Sequence, residues 1–456
     1  MYFAHSKVGL RHFLMQGIVL NNIIKPIPMS EDFLHFIWQH RLYKQGLFVT
    51  DQGHKIEIVH PGLPNTDSGP DFFNAKIKLD NVLWAGNVEI HLKASDWNRH
   101  QHHMDHLYDN VVLHVVLEND ADVHTAEGRS VPAWKIQIPQ SIIQSYNNLN
   151  RHHGWIACEK MIHYIPDFEI LSWIERMLVE KLERKVDIIE TLLDGSRNDW
   201  QSVFYVMLTR NFGFGLNGDP FEQLARQTPW TIVARNADSR EKLEALFLGQ
   251  AGFLDGIVYE DEYVQFLKRE YALMQKKYSL KPLPAHLWKF LRLRPGNFPT
   301  LRLVQLAAIL SHHPAIFDKI LDCQDFAVIS ELFQVEPCEY WNSHYKPDVK
   351  GKRHSTKIGK QAVELIIINT VVPVLFAYGK LRGLPHLRQK SFDLLERLPP
   401  ERNSIVRKWG KTLPNINIRS AAETQGLVYL KKNYCDQHKC LRCRAGQKVM
   451  AQSFEV

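Results

Sequence analysis

Two short clusters near the start of the chain carry the residue types that do chemistry: Gly69-Pro70-Asp71 and Glu89-Ile90-His91. Asp71 precedes one run of alternating residues and Glu89 lies 18 positions later, on the run expected to pair with it. A hairpin through Asp80-Asn81 would bring both carboxylates to one end of a sheet, where they could hold a divalent cation, Mg²⁺ or Mn²⁺, through oxygen ligands. Such a cation activates water and stabilises the charge that develops on a phosphate during hydrolysis. Glu89, His91 and Lys93 alternate along a strand and therefore share a face. His91 is a candidate third ligand or water-orienting group, and Lys93 a candidate electrostatic partner. In isolation, however, Gly69-Pro70-Asp71 is also an ordinary turn, and Glu89 an ordinary surface partner for Lys76 or Lys78.

A histidine-rich segment follows. Ser95-Asp96-Trp97 leads into His100, His102, His103, Asp105, His106, Tyr108 and Asp109. Read as a helix from about Asn98 to Asn110, it pairs Asp105 with Asp109 and His102 with His106 at i, i+4. Neutral imidazole suits zinc, manganese or iron. His100, Asp105 and Tyr108 are the candidates for contact with a substrate, since that helix would pass over the strand end. His102 and His103 read as solvated, and His114 as a satisfied core histidine.

The sharpest local pattern is late: Cys435, His438, Cys440 and Cys443, with Cys440 and Cys443 in a CxxC knuckle. Three thiolates are one short of a closed zinc site or a four-thiolate iron–sulfur cluster. His438, Cys158 or Cys338 could complete the set. Basic neighbours such as Lys439 and Arg442 are expected to lower the thiol pKa values and favour metallation. Two basic clusters, Lys346 to Lys360 with Lys352 and Arg353, and Arg292, Arg294 and Arg302, could contact phosphates. They read equally well as solvated loops, and Arg292 or Arg302 as partners of acidic residues.

The elements that must position these groups are legible in outline. Ser30 caps an amphipathic helix whose apolar positions are 33, 34, 37 and 38. Strand patterns cover 55–59, 73–79, 82–92, 111–117 and 134–138. The order is helix, three strands, helix, two strands, an α/β domain with a mixed five-stranded sheet. After about residue 150 helical periodicity takes over, first with apolar residues at 170, 171, 174, 178, 182, 186 and 189. Further helices are predicted over 199–213, 239–250, 259–278, 301–311, 357–379 and 383–397. The expected class is therefore α+β. Residues 1–28 form an extension or tail, 29–145 the α/β domain, 146–400 a mainly helical domain, and 401–456 a helix with a cysteine-containing tail.

Composition narrows the classes. With 456 residues the chain is too long for one ordinary core. At 45% apolar and 23% charged residues it is globular and not disordered. The formal charge of +7 permits a polyanionic partner without demanding one. Six cysteines in so long a chain do not make a disulfide scaffold, so a reducing, cytoplasmic setting is expected. No membrane partner is expected: the most apolar segment, Val363 to Tyr378, is interrupted by Glu364, Asn369 and Pro373 and reads as a buried helix with a proline kink.

Two resemblances organise these readings. The order of elements, Pro70-Asp71 before one strand and Glu89-Ile90-His91 on the next resemble the PD-(D/E)XK nuclease core, with His91 standing where that family usually has lysine. The resemblance implies a metal-dependent nuclease; some nucleases of that core also carry an iron–sulfur cluster on one remote and three late cysteines. More specifically, the chain from about residue 30 onward resembles a bacterial family of unknown function, family 2851. The marks are Phe33-Leu34-His35-Phe36-Ile37-Trp38, Asp67-Ser68-Gly69-Pro70-Asp71-Phe72, Trp84 to His91, Ser95-Asp96-Trp97, Asn211-Phe212-Gly213-Phe214, Arg294-Pro295-Gly296-Asn297-Phe298-Pro299 and the late cysteines. The leading expectation is a divalent-metal-dependent phosphodiesterase acting on nucleic acid. The alternatives are a non-catalytic nucleic-acid-binding or scaffold protein, and a histidine-based metal hydrolase of a small substrate.

Overall fold

The computed structural model describes residues 29–44, 46, 48–151, 154–255, 260–323 and 325–452. The extension expected over residues 1–28 lies outside the described residues. The chain divides into two compact units, one from Met1–Cys158 with Cys440–Val456 and the other Glu159–Lys439.

The first unit opens with α1 (Glu31–Gln39), whose N-cap Ser30 accepts from the Phe33 amide and whose buried face carries Phe33, Leu34, Phe36, Ile37 and Trp38. Five strands follow: β1 (Phe48–Val49), β2 (Lys55–His60), β3 (Leu63–Pro64), β4 (Phe72–Leu79) and β5 (Val82–Lys93). A short helix α2 (Asp96–Arg99) leads through two 3₁₀ turns to β6 (Val111–Glu118) and β7 (Ala133–Lys135), with α3 (Gln140–Arg151) after them. All strands join one seven-stranded sheet of order β1-β2-β4-β5-β6-β7, with β3 paired to β4. The sheet is thus larger than the five strands expected, because β1 and β3, at two residues each, are too short to show a period. It is mixed as expected: β2, β4 and β5 run antiparallel, while β6 is parallel to β5 and β7 to β6.

The hairpin forms where the sequence placed it, with Leu79 opposite Val82 and Asp80 at φ +50° in the turn. Two irregularities shape the strand ends beside the candidate site. A bulge falls between Phe72 and Ala75, with Asn74 at φ +58°; a register shift separates Asn87 from Val88 against β6. Bulges of this kind re-aim side chains next to functional sites. Gly86 sits at the second irregularity: a Cβ there would lie 2.4 Å from Val112 Cγ1 and 2.6 Å from the Asn110 carbonyl oxygen. Gly86→Ala is therefore expected to lower stability by about 1–3 kcal/mol through overpacking, read as a lower denaturation midpoint.

The predicted His-rich helix is replaced by α2 and the 3₁₀ turns His102–Met104 and His106–Tyr108. Gln101 at φ +65° and the extended Asp105 break the helical path, so the expected i, i+4 pairs do not form. Instead His106 Nδ1 meets Asp109 Oδ2 at 2.6 Å.

The second unit is mainly helical. Its longest helix, α4 (Asp167–Gly195), buries Ile170, Ile174, Leu178, Leu182, Val186 and Ile189 at the predicted period. The other predicted helices occur as Trp200–Phe212, Arg240–Gln250, Glu262–Tyr278, Pro299–His312, Lys360–Leu381 and Pro385–Arg397. Periodicity missed others; in Phe214–Gln227 the internal Pro220 disguised the pattern. Part of the basic segment is a hairpin of His344–Lys346 and Val349–Lys350 and not simply a loop. By length and composition Lys360–Leu381 is apolar enough to cross a membrane, yet 72% of its most apolar stretch is buried inside the protein, the setting of a core helix. Its irregularity is a π-helical turn over Ile367–Val371, just before Pro373.

Glu244 is a fully buried carboxyl of this unit. Glu244 Oε2 accepts from Trp341 Nε1 at 2.6 Å and from the Tyr263 hydroxyl at 2.7 Å, and burial pushes its pKa up to about 7. A folded-state pKa above the ordinary 4.5 contributes stability at lower pH that is lost as pH rises through about 7. Relative to Glu244→Gln, the wild-type chain is expected to lose on the order of 2–3 kcal/mol between pH 5 and 8.5, measured by urea denaturation at both ends.

Candidate functional site

The site lies in the first unit, at the ends of β4 and β5, and it begins with a reciprocal lock. The Asp71 amide donates to Glu89 Oε2 at 3.0 Å, and the Ile90 amide donates to Asp71 Oδ2 at 2.9 Å. Each carboxylate is thus held by backbone of the neighbouring strand, which follows from the β4–β5 pairing that sets Phe72 opposite Val88. Because Glu89 accepts from the amide of Asp71 itself, the two carboxyl groups are set next to each other at the strand ends. Gly69, at φ +105°, turns the chain into this position.

Glu89 is 4% exposed and His91 2% exposed, so the centre of the site is shielded from bulk solvent. Burial, reinforced by the Asp71 charge, pushes the Glu89 pKa up to about 9. A cation bound there would displace that proton. Burial, together with the surrounding imidazoles of His114, His102 and His100, depresses His91 to about 2. It is therefore a neutral ring, able to act as a ligand or a hydrogen-bond acceptor.

Around Glu89 and His91 the structure gathers imidazoles. Glu89 Oε1 lies 3.2 Å from His102 Nε2 and 3.4 Å from His91 Nε2. His91 Nε2 lies 3.2 Å from His100 Nδ1, and His91 Nδ1 lies 3.0 Å from His114 Nε2. Among the described residues, one nitrogen from each of His91, His100 and His102 falls within 4.8 Å of the other two. A tetrahedral ion with bonds of about 2.0–2.1 Å has ligand–ligand edges of about 3.3–3.4 Å, so the spacings suit a transition metal. The supporting layer also suits one. His114 Nε2 faces His91 Nδ1, which leaves His91 Nε2 aimed at the cluster, the outer-shell arrangement usual for ligating histidines. His102 is stacked on Tyr108 with centroids 3.8 Å apart, and Trp97 lies edge-on to it. His100 is exposed, so the cluster opens to solvent on that side.

From α1, His35 places Nε2 3.2 Å from Asp71 Oδ2. Burial opposes its charged form, but Asp71 and Glu89 outweigh it and raise its pKa above the ordinary value. Among the predicted groups, Lys93 is not brought to the site: it is half exposed at the strand end, 3.0 Å from Glu118. Asp105 is exposed and caps a turn through Leu107, whereas Tyr108 is buried beside His102. Arg294, Lys352 and Arg353 are exposed residues of the second unit.

The cysteine tail is divided by the unit boundary. Cys435 closes a π-helical turn and His438 stands at φ +50° in the second unit, while Cys440 opens a 3₁₀ turn and Cys443 is buried in the first. Burial and the neighbouring Cys443 push the Cys440 thiol up to about 11, opposite to the lowering expected from basic neighbours.

Three residues of this site are not singled out by sequence spacing. In the sequence His35 is one position of a helix, His102 reads as solvated and His114 as core. The available signal was the density of histidines around Glu89, but only the fold shows which of them face it.

The chain matches a family described as "Protein of unknown function (DUF2851)" over residues 31–404. It belongs to this family. The DUF2851 match takes in α1, Asp71, Glu89 and the histidine cluster, and runs through most of the helical unit. No curated protein matches the chain, and no solved structure does.

Proposed function

We propose that this DUF2851 chain is a divalent-metal-dependent phosphodiesterase acting on nucleic acid. The observation that carries the reading is the interlocked Asp71–Glu89 pair, with three imidazoles converging beside it. The order α1, β2, β4, β5, α2, β6, with three antiparallel strands and then a parallel one, supports a likeness to the PD-(D/E)XK core. A bound cation would supply a polarised water and neutralise charge on the phosphate. Asp71 and Glu89 present the oxygen ligands. His91, in the position that family gives to lysine, is held by His114 and offers Nε2 as a ligand or to orient a water. His35 orients Asp71 from the other side.

The imidazole content favours a second reading, a histidine-based metal hydrolase of a small substrate, because three ring nitrogens select Mn²⁺, Fe²⁺ or Zn²⁺ over Mg²⁺. The test is cleavage of single- and double-stranded DNA and RNA, and of a small phosphodiester, with each of these cations and Mg²⁺. Cleavage of nucleic acid supports the first reading, turnover of the small ester alone supports the second, and binding without turnover marks a non-catalytic nucleic-acid-binding protein. For the tail, zinc or an iron–sulfur cluster remains the proposal, and elemental analysis of the purified protein tests it.

A further inference from the structure

The helical unit contains a buried cation without a counter-charge. Arg302, on the helix Pro299–His312, is 6% exposed. Its Nη1 donates to Gln305 Oε1 at 2.9 Å and its Nη2 to Asn297 Oδ1 at 2.6 Å, while its guanidinium lies 4.6 Å from the Phe214 ring centroid. These are neutral partners. Among the described residues no carboxylate pairs with it, and Nε, fully buried, has no hydrogen-bond partner. The expectation that Arg302 pairs with an acidic residue is thus not met. Two of five guanidinium donors are engaged, and an uncompensated buried charge is costly.

Arg302 lines a cleft of about 760 Å³, none of whose lining residues is acidic and to which Arg294 and Lys357 also contribute. Two helices begin on its wall: Phe214–Gln227 after Gly213, and Lys360–Leu381 after Gly359. Neither start has a side-chain cap, and at the second the Ala362 amide turns inward to the Gly359 carbonyl at 2.8 Å. Gly213 and Phe214 of the first sequence motif and Arg294, Pro295, Gly296 and Asn297 of the second line this wall, and Phe214 is held at φ +48°, a conformation disfavoured for an aromatic residue.

We propose that this cleft binds a phosphate group, with Arg302 as its buried anchor. A carboxylate has two oxygens; a phosphate offers more acceptors and more charge to a fork of donors beside two helix starts. The proposal does not depend on the Asp71–Glu89 reading, which concerns the other unit.

The test uses the full chain and follows thermal unfolding and binding isotherms at matched ionic strength. The probes are inorganic phosphate, a nucleoside 5′-monophosphate and a dinucleoside monophosphate with hydroxyl ends. Wild-type protein is expected to gain Tm saturably with at least one probe. Binding of the first two assigns a phosphate monoester, and binding of the third a backbone diester. Arg302→Met is expected to weaken binding at least tenfold, and Arg294→Ala by a few fold. Wild-type protein indifferent to all three probes, or a folded Arg302→Met chain with unchanged affinity, overturns the proposal. Should Arg302→Met not fold, Arg302→Lys and Arg294→Ala decide, and unchanged affinity in both overturns it. Asp71→Asn, run in parallel, is expected to lose cleavage while keeping phosphate affinity, which separates the two sites.

Discussion

Asp71→Asn is expected to reduce metal-dependent phosphodiester cleavage by on the order of a thousandfold while leaving the fold in place. The size follows from the several kcal/mol that a correctly held cation contributes to transition-state charge stabilisation, at about 1.4 kcal/mol per factor of ten. The fold is spared because an asparagine Oδ1 can still accept from the Ile90 amide, the contact Asp71 makes at 2.9 Å. Asp71→Ala removes that acceptor as well and leaves the Ile90 amide unpaired, so a further loss of about 1 kcal/mol in stability is expected. The measurements are kcat/KM with a saturating divalent cation and a thermal melt on each variant. A wild-type rate in a folded Asp71→Asn protein would remove the carboxylate pair from the reaction.

Trp97→Ala is expected to destabilise the first unit by about 3–5 kcal/mol, the cost of emptying a buried indole site. Trp97 is fully buried in a small cluster with Tyr108, Val111, Val123 and Val131. Its Nε1 donates to the His124 carbonyl at 3.0 Å. Its ring also meets His102 and His114 at centroid distances of 5.5 and 5.3 Å, so the cavity would open against the imidazole cluster itself. Metal affinity should therefore fall with stability, by roughly the 10–100-fold typical of removing a supporting group. Trp97→Phe keeps most of the packing and loses only the N–H donor, so it should cost much less. Urea denaturation of the three proteins, with metal titration of those that fold, separates the effects; equal stability of wild type and Trp97→Ala would contradict this role.

Much of the scaffold was legible beforehand because its signals are local. Ser30 before an apolar stripe specifies a capped helix, and alternation on either side of Asp80-Asn81 specifies a hairpin. A nearly all-apolar run at β6, interrupted only by His114, specifies a strand buried on both faces, which goes with parallel pairing on both its sides. The same reasoning brought Asp71 and Glu89 together, since strand alternation and turn position fix which residues meet. It failed between His100 and Asp109. A left-handed residue, Gln101, and an extended one, Asp105, turn the expected helix into two tight turns, and no period records such breaks.

By itself, then, the sequence determined the α+β class, the hairpin, the long helix α4 and the proximity of the two carboxylates, all consequences of spacing along one chain. Tertiary structure alone decided what surrounds Gly69-Pro70-Asp71 and Glu89-Ile90-His91. His35 arrives from a helix more than thirty residues earlier, and His102 and His114 arrive through a kinked connection and a parallel strand. Lys93, on the expected strand, ends in solvent with Glu118 because β5 leaves the buried layer after Leu92. Burial, which no single segment encodes, made Glu89 a reluctant acid and His91 a neutral ring. It also left Arg302 charged among neutral partners. Local spacing chose the chemistry on offer; the low-dielectric surroundings assembled from distant segments decided in which protonation state each group can use it.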